Sequence, residues 1–234
     1  EDFKKLSPAW NALLEESIAN LPFLRHEYLL AWWDSLGGGE WDSGELAIIT
    51  AHRGEELVGI APLFLTEHDG VQKLLFLGSI EISDFLDFIV RENDLAEFIH
   101  GLFDFLDSHA TLTWESLDLQ NLIEGSASLT ILEEEAKSRG WGFAQERLQP
   151  APYATLPGDF DEYLAGIKKK QRHEIRRKMR RSAGDEREVN WYIVEDKSTL
   201  DDEIEACCQL MAQDPAKQAF LTQIMKSQMK ATIH

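Results

Sequence analysis

The chain has 234 residues, 44% hydrophobic and 28% charged, with 23 Lys and Arg against 42 Asp and Glu, a formal net charge of -19 at pH 7. Seven Trp and twelve Phe supply material for real cores, the length suits one large domain or two smaller ones, and the acidity argues against a general nucleic-acid surface. No apolar run approaches the roughly 20 residues that span a bilayer, because the richest stretches, 57–65 and 74–90, are broken by Gly, Glu or Asp, so the chain reads as soluble.

It opens at Glu1 with neither an initiator Met nor a signal-like apolar segment, which leads to the expectation of a missing leader or a fragment. Ser7-Pro8 is a helix-start signal, and Trp10, Leu13, Leu14, Ser17 and Ile18 follow at helical spacing. After Pro22 a second helix is expected from Leu24, Tyr28, Leu29, Trp32, Trp33 and Leu36, ending at Gly37-Gly38-Gly39. Four segments then read as strands: 45–52, 57–66, 71–78 and 85–90. Gly54-Glu55 turns the first into the second, and Asp69-Gly70 is a hairpin signal between the second and third.

The period changes at Asp94, where Leu95, Phe98, Ile99, Leu102, Phe103 and Leu106 share one helical face. Residues 114–119 alternate as a strand, 126–140 read as a helix capped by Ser126 and closed by Gly140, and 141–148 and 153–156 read as two short strands. Pro150, Pro152 and Pro157-Gly158 mark a seam. Beyond it, Asp159 with Glu162 forms a capping pair that opens a long helix.

That helix carries the most uneven feature of the sequence. Residues 168–181 hold nine of the 23 Lys and Arg with one Glu, leaving 14 basic and 41 acidic residues elsewhere. Such a run is either a solvated face packed on the acidic first unit or a contact for an anionic partner. Lys169, Arg172 and Arg176 lie at three- and four-residue spacing and could converge on phosphates or an anionic glycan. Nucleic acid has weak support, since His173 is the one aromatic ring in the run. A strand at 189–194 and helices at 199–211 and 216–230 complete the chain. Cys207 and Cys208 are its only cysteines; adjacent cysteines make a strained disulfide, so a reducing, cytoplasmic setting is expected. The seven His show no zinc-ligand spacing, and no metal is expected.

A mixed α/β fold follows. Pro22-Phe23-Leu24 through Ala31-Trp32-Trp33, Leu57-Val58-Gly59-Ile60-Ala61-Pro62-Leu63, Phe76-Leu77-Gly78, Ser83-Asp84-Phe85-Leu86-Asp87-Phe88 and Lys168 through Arg181 are stretches in which the chain resembles tandem GNAT-like acyltransferases of the CelD/BcsL type, associated with cellulose and exopolysaccharide biosynthesis and related to the Fem aminoacyl transferases. The resemblance implies a first GNAT-like unit over 1–157, with a mostly antiparallel mixed sheet flanked by helices, and the opening of a second over 158–234. It implies transfer of an acetyl or other acyl group from acyl-CoA to an amine or hydroxyl of a sugar or polysaccharide precursor, or, in the Fem manner, aminoacyl transfer from tRNA. The family's pyrophosphate loop is Gly-rich, whereas Arg91-Glu92-Asn93-Asp94 stands in its place with two carboxylates, so the resemblance makes the first unit a non-donor partner and puts the donor site largely outside this chain. A module that does no chemistry and holds an anionic polymer or protein through the basic helix is the competing expectation.

Asp84 and Asp87 form the patch that looks most like a general base. In a regular strand they would face opposite sides, so a bulge or turn is needed to bring both into one cleft, and turn-forming or capping roles compete with chemistry. Trp33, or Trp32, could stack on a sugar ring, against the reading of one core anchor and one part-exposed neighbour. Tyr153 stands at the seam, where a substrate cleft or simple packing would use it.

Overall fold

The structure is a computed structural model that describes residues 2–78, 81–109, 112–184 and 191–233. It has mixed α/β architecture, with a five-stranded mixed sheet flanked by helices. Two compact units divide it, one of residues 1–145 with 200–234 and one of residues 146–199.

The larger unit begins with α1 (Asp2–Lys5), α2 (Ser7–Glu15) and, after a 3-10 turn at Pro22–Leu24, α3 (His26–Gly39). Trp10, Leu14, Leu24, Leu29 and Trp32 are fully buried along these helices, and the Trp10 indole donates to Leu24 O at 2.8 Å. The three glycines act as the sequence suggested: regular helix ends at Ser35, and Leu36, Gly37 and Gly38 take positive φ of 48°, 70° and 71°.

β1 (Glu45–Arg53), β2 (Glu56–His68) and β3 (Val71–Phe76) then form an antiparallel meander. Asp69 and Gly70 make the expected hairpin turn, both at positive φ. β1 covers one edge of β2 from Glu56 to Leu65. The other edge is shared end to end, with β3 against Leu63 to His68 and the two-residue β4 (Ile89–Val90) against Gly59 and Ile60. Between them stands Pro62, which has no N–H to give to a ladder; its carbonyl accepts from Leu77 N at 2.8 Å. The strand expected over 85–90 is cut to its last two residues because β3 already takes this edge of β2 from Leu63 onward and Pro62 between them offers no donor, and the chain between β3 and β4 leaves the sheet at the break.

α4 (Leu95–Ser108) buries Leu95, Phe98, Ile99, Leu102, Phe103 and Leu106, the face read from the sequence. It leads to β5 (Ser116–Asp118), parallel to β3, and then to α5 (Ala127–Ser138), capped by Ser126. No further strand follows among the described residues. The strands expected at 141–148 and 153–156 are absent: Trp141 stacks on Phe103 at 4.8 Å, while Pro150, Pro152 and Pro157 interrupt any ladder beyond it with residues that cannot donate.

In the smaller unit the expected long helix is two, α6 (Phe160–Gly166) and α7 (Lys169–Gly184). Asp159 caps α6 by accepting from Glu162 N at 3.0 Å, and the chain turns extended at Ile167. Of the strand expected at 189–194, Val189 and Asn190 lie outside the described residues and 191–194 join no ladder.

Residues 200–234 return to the larger unit. α8 (Leu200–Met211), α9 (Pro215–Phe220) and α10 (Gln223–Ile233) replace the two helices expected there, with Thr222 accepting from Met225 N to restart the last. α10 rests on the left-handed end of α3, where Ser35 Oγ donates to Gln228 Oε1 at 2.7 Å and Gly38 has no room for a Cβ beside Met225.

The tightest approach in the sheet is at Gly59, where a Cβ would fall within the carbon atoms of the buried Phe98 ring. Gly59→Ala is expected to cost about 1–3 kcal/mol by overpacking, read as a lower urea midpoint, and Phe98→Leu in the same chain is expected to recover part of it.

Candidate functional site

The excursion from Leu77 to Phe88 carries both predicted aspartates, and the structure separates them. Asp87 is buried at 4% exposure. Its Oδ1 accepts from Ser128 Oγ at 2.6 Å and from Phe88 N at 2.8 Å, and its Oδ2 accepts from Ser126 Oγ at 2.8 Å. It therefore fastens the loop to the first turn of α5, where a carboxylate also meets the positive end of the helix dipole. Burial pushes its carboxyl above the usual range, against the hydrogen bonds from Ser128, Ser126 and Phe88 that favour the charged form. No proton acceptor of a bound substrate is offered there, since the oxygens are already engaged.

Asp84 is exposed on the outer bend of the loop. Beside it, Tyr28 Oη of α3 donates to Ile82 O at 2.5 Å and lies 2.9 Å from Ser83 Oγ, while Asn121, itself at φ 60°, donates through Nδ2 to Ser83 O at 2.6 Å and accepts from Leu86 N at 3.0 Å. Burial raises the Tyr28 phenol; the Ser83 hydrogen bond opposes this, and the charges of Asp84 and Glu40 add to the rise. Tyr28 thus ties the loop to α3.

A cleft in the larger unit has a volume of about 390 Å3, within the range of small-molecule sites, roughly 300–1,000 Å3. The α3–β1 connection supplies Glu40, Trp41, Asp42 and Ser43; β2 supplies Thr66, Glu67 and His68; β3 supplies Lys73 and Leu75; and the end of β5 supplies Asp118 and Gln120. Thr66 Oγ1 donates to Ser43 O at 2.9 Å, which ties the connection to the sheet. Trp41 stands edge-on to Phe64 and His68, with ring centroids 5.4 and 5.3 Å apart. Lys73 Nζ lies 3.8 Å from Asp118 Oδ2, which also accepts from Gln120 Nε2 at 3.3 Å. Gln120 Oε1 is buried with no partner among the described residues, an acceptor suited to a donor on a ligand. Four carboxylates against Lys73 and His68 make the cleft suited to hydroxyl and amine donors rather than to a phosphate.

The other predicted residues lie elsewhere. Trp32 is fully buried, and Trp33 is half-buried against Phe64 at 6.4 Å, outside the lining of the cleft. Tyr153 is 96% exposed. Arg172 Nη1 donates to Leu164 O and Ala165 O, 3.2 Å each, closing the carbonyl end of α6, and Arg176 pairs with Asp161 at 3.1 Å; Lys169 is exposed. The three do not converge on one point in this arrangement. The turn 91–94, where the resemblance led to the expectation of a loop without phosphate-binding character, is closed by ion pairs: Arg91 with Glu16 at 2.6 Å and Glu56 at 3.2 Å, and Arg53 with Asp94 and Glu97 at 2.9 Å each.

Sequence reasoning passed over Trp41, Tyr28, Asp118 and Gln120. The signal available was the Trp between Glu40 and Asp42 directly after three glycines, a bulky aromatic in a polar connection. No group of three or more His, Cys, Asp or Glu able to hold a metal occurs among the described residues, and no helix there is long and apolar enough to cross a membrane. Comparison with family models, curated proteins and solved structures finds no match to this chain.

Asp87→Ala leaves two serine hydroxyls at the α5 N-terminus without their acceptor, one of them on fully buried Ser128, and is expected to cost about 1–3 kcal/mol in a urea titration. Because the folded-state pKa lies above the unfolded one, the Asp87 contribution is complete below the unfolded value and is lost as pH rises through the folded value. The stability of the native protein minus that of Asp87→Asn is therefore expected to grow as pH falls from neutrality, and a pH-independent difference would contradict the assignment.

Proposed function

We propose that the chain belongs to an acyltransferase of GNAT-like kind, and that the cleft at the ends of β2, β3 and β5 holds its acceptor, a saccharide or polysaccharide precursor with a hydroxyl or amine to acylate. The cleft carries this reading: an aromatic wall at Trp41, the unpartnered Gln120 Oε1 and several carboxylates match a ligand rich in O–H and N–H donors. The order of elements also supports it, with two helices, an antiparallel meander, and a helix leading to a strand parallel to β3. The acyl donor is acyl-CoA. The ion-paired turn at 91–94 supports a donor site elsewhere than in the first unit.

In the reaction the acceptor oxygen or nitrogen attacks the thioester carbonyl, the C–S bond breaks, and coenzyme A leaves as the thiol. A carboxylate of the cleft, such as Asp118, takes the proton released by the acceptor, which ends on the leaving sulfur, while the walls contribute mainly by holding the nucleophile in place. A donor of this kind places the reaction in the cytoplasm, where Cys207 and Cys208 stay thiols, as they are in the structure.

A second reading has its own observation. α7 has no buried residue, and its exposed cations suit a module that performs no chemistry and holds an anionic polymer or protein.

The test uses the protein as its gene encodes it, with acetyl-CoA and a panel of sugars and amino sugars, following release of the coenzyme A thiol. Acceptor-dependent release is expected, with Trp41→Ala raising the acceptor KM about tenfold or more, equivalent to about 1.4 kcal/mol of lost binding, and Asp118→Asn lowering kcat on the order of 100-fold. Absence of release with every acceptor, or an unchanged acceptor KM in Trp41→Ala together with an unchanged kcat in Asp118→Asn, removes the reading.

A further inference from the structure

The structure sorts the cations of α7 in a way the sequence could not. Arg172 and Arg176 turn to α6, one onto backbone carbonyls and one onto Asp161. At about 100° per residue, Lys170, Arg177, Lys178 and Arg181 fall on the opposite half of the helix and Lys169 and Arg180 beside the first pair, and all six are exposed. They extend over about 18 Å of its length. Glu174 is the one acid on that half, bound to Arg177 at 2.7 Å with Lys178 at 3.9 Å. Lys169, Lys170 and Arg180 have no ion pair among the described residues.

The same unit leaves large apolar side chains in water. Leu156 is 80% exposed, Trp191 82% and Ile193 74%. A cationic helix face together with exposed aliphatic and Trp side chains is the combination that an anionic bilayer surface binds: lipid headgroups attract the cations, and the interfacial layer takes the apolar groups. Leu156 and Ile193 favour the lipid surface over nucleic acid, because aliphatic side chains add to interfacial binding but cannot stack on bases, whereas the exposed rings of Tyr153, Trp191 and Tyr192 suit either partner. The rest of the chain, with 14 basic residues against 41 acidic, is repelled by such a surface, so attraction is confined to this face.

We propose that the unit of residues 146–199 docks the protein peripherally on an anionic lipid surface through the exposed cations of α7. This goes beyond the acyl-transfer reading and does not depend on it, since the readout below involves no turnover.

The experiment is co-sedimentation of the full chain with vesicles of phosphatidylcholine alone and of phosphatidylcholine with phosphatidylglycerol, at low and high salt. Binding is expected with the mixed vesicles only, and it should fall in high salt. Lys169→Glu, Lys170→Glu and Arg180→Glu together are expected to weaken it on the order of 100-fold, about fivefold for each cation lost; these side chains make no contact whose loss would unfold the unit, and circular dichroism should be unchanged. Leu156→Ser with Ile193→Ser should weaken vesicle binding several-fold and leave retention on a cation exchanger unaltered. Equal binding to neutral vesicles, no binding to either, unchanged binding in either variant, or tighter binding to oligouridylate than to the mixed vesicles at the same salt overturns the proposal.

Discussion

β2 is the strand on which the larger unit depends, and Pro62 is the residue that decides how. Residues 58–64 of β2 are continuously buried, so both edges must be paired or covered to satisfy their backbone groups. β1 does this along one edge. On the other, the missing N–H of Pro62 divides the ladder into a β3 part and a β4 part. Because the chain cannot continue its pairing there, it departs as the loop that carries Ser83, Asp84 and Asp87, and helices on both sides secure it: Tyr28 from α3, and Ser126 and Ser128 at the start of α5. The loop also meets Asn121, next to Gln120 of the cleft. One absent donor in a central strand thus places two of the chain's polar constellations next to each other.

Charge follows the division into units. In the larger one, the arginines near α4 and α5 are consumed internally: Arg53 and Arg91 at the start of α4, and Arg139 by Asp104 at 2.7 Å and Glu135 at 3.3 Å. Most of these pairs are exposed enough to be worth little individually, but those of Arg53 and Arg91 together occupy the N-terminus of α4, the position that an anionic ligand would otherwise use. In the smaller unit the cations of α7 outnumber their local partners, and the surplus is exposed. Cations are neutralised within the fold in one unit and presented by it in the other.

Legibility in the sequence varied with how local the determinant was. α4 was readable to its individual buried residues, since a 3.6-residue period and a single apolar stripe define such a helix without outside help. The Asp69-Gly70 hairpin was readable because the turn itself needs positive φ. The strands expected at 141–148 and 153–156 were not, because alternating residues make a strand only if an edge is available to pair with. Asp87 shows the same limit at the candidate site. Its sequence neighbourhood marked it as a residue of interest, but whether a carboxylate is a base or a fastener depends on what donors the fold brings to it, and here Ser126 and Ser128 come from about 40 positions further along the chain. Trp33 and Trp41 likewise could not be ranked without knowing that Trp33 packs on Phe64 outside the cleft while Trp41 lines it.

By itself the sequence determined the mixed α/β class, the register-setting turn between β2 and β3, the amphipathic helices and the concentration of positive charge in one short run, because each of these rests on neighbours within a few residues. Tertiary structure alone decided that Asp84 and Asp87 part company, that a cleft opens beside Trp41, that residues 200–234 pack against α3, and that Arg172 and Arg176 bond to α6 while six other cations of α7 stay exposed. These outcomes depend on which distant groups satisfy a buried polar atom or cover an apolar face, and the sequence lists those groups without pairing them.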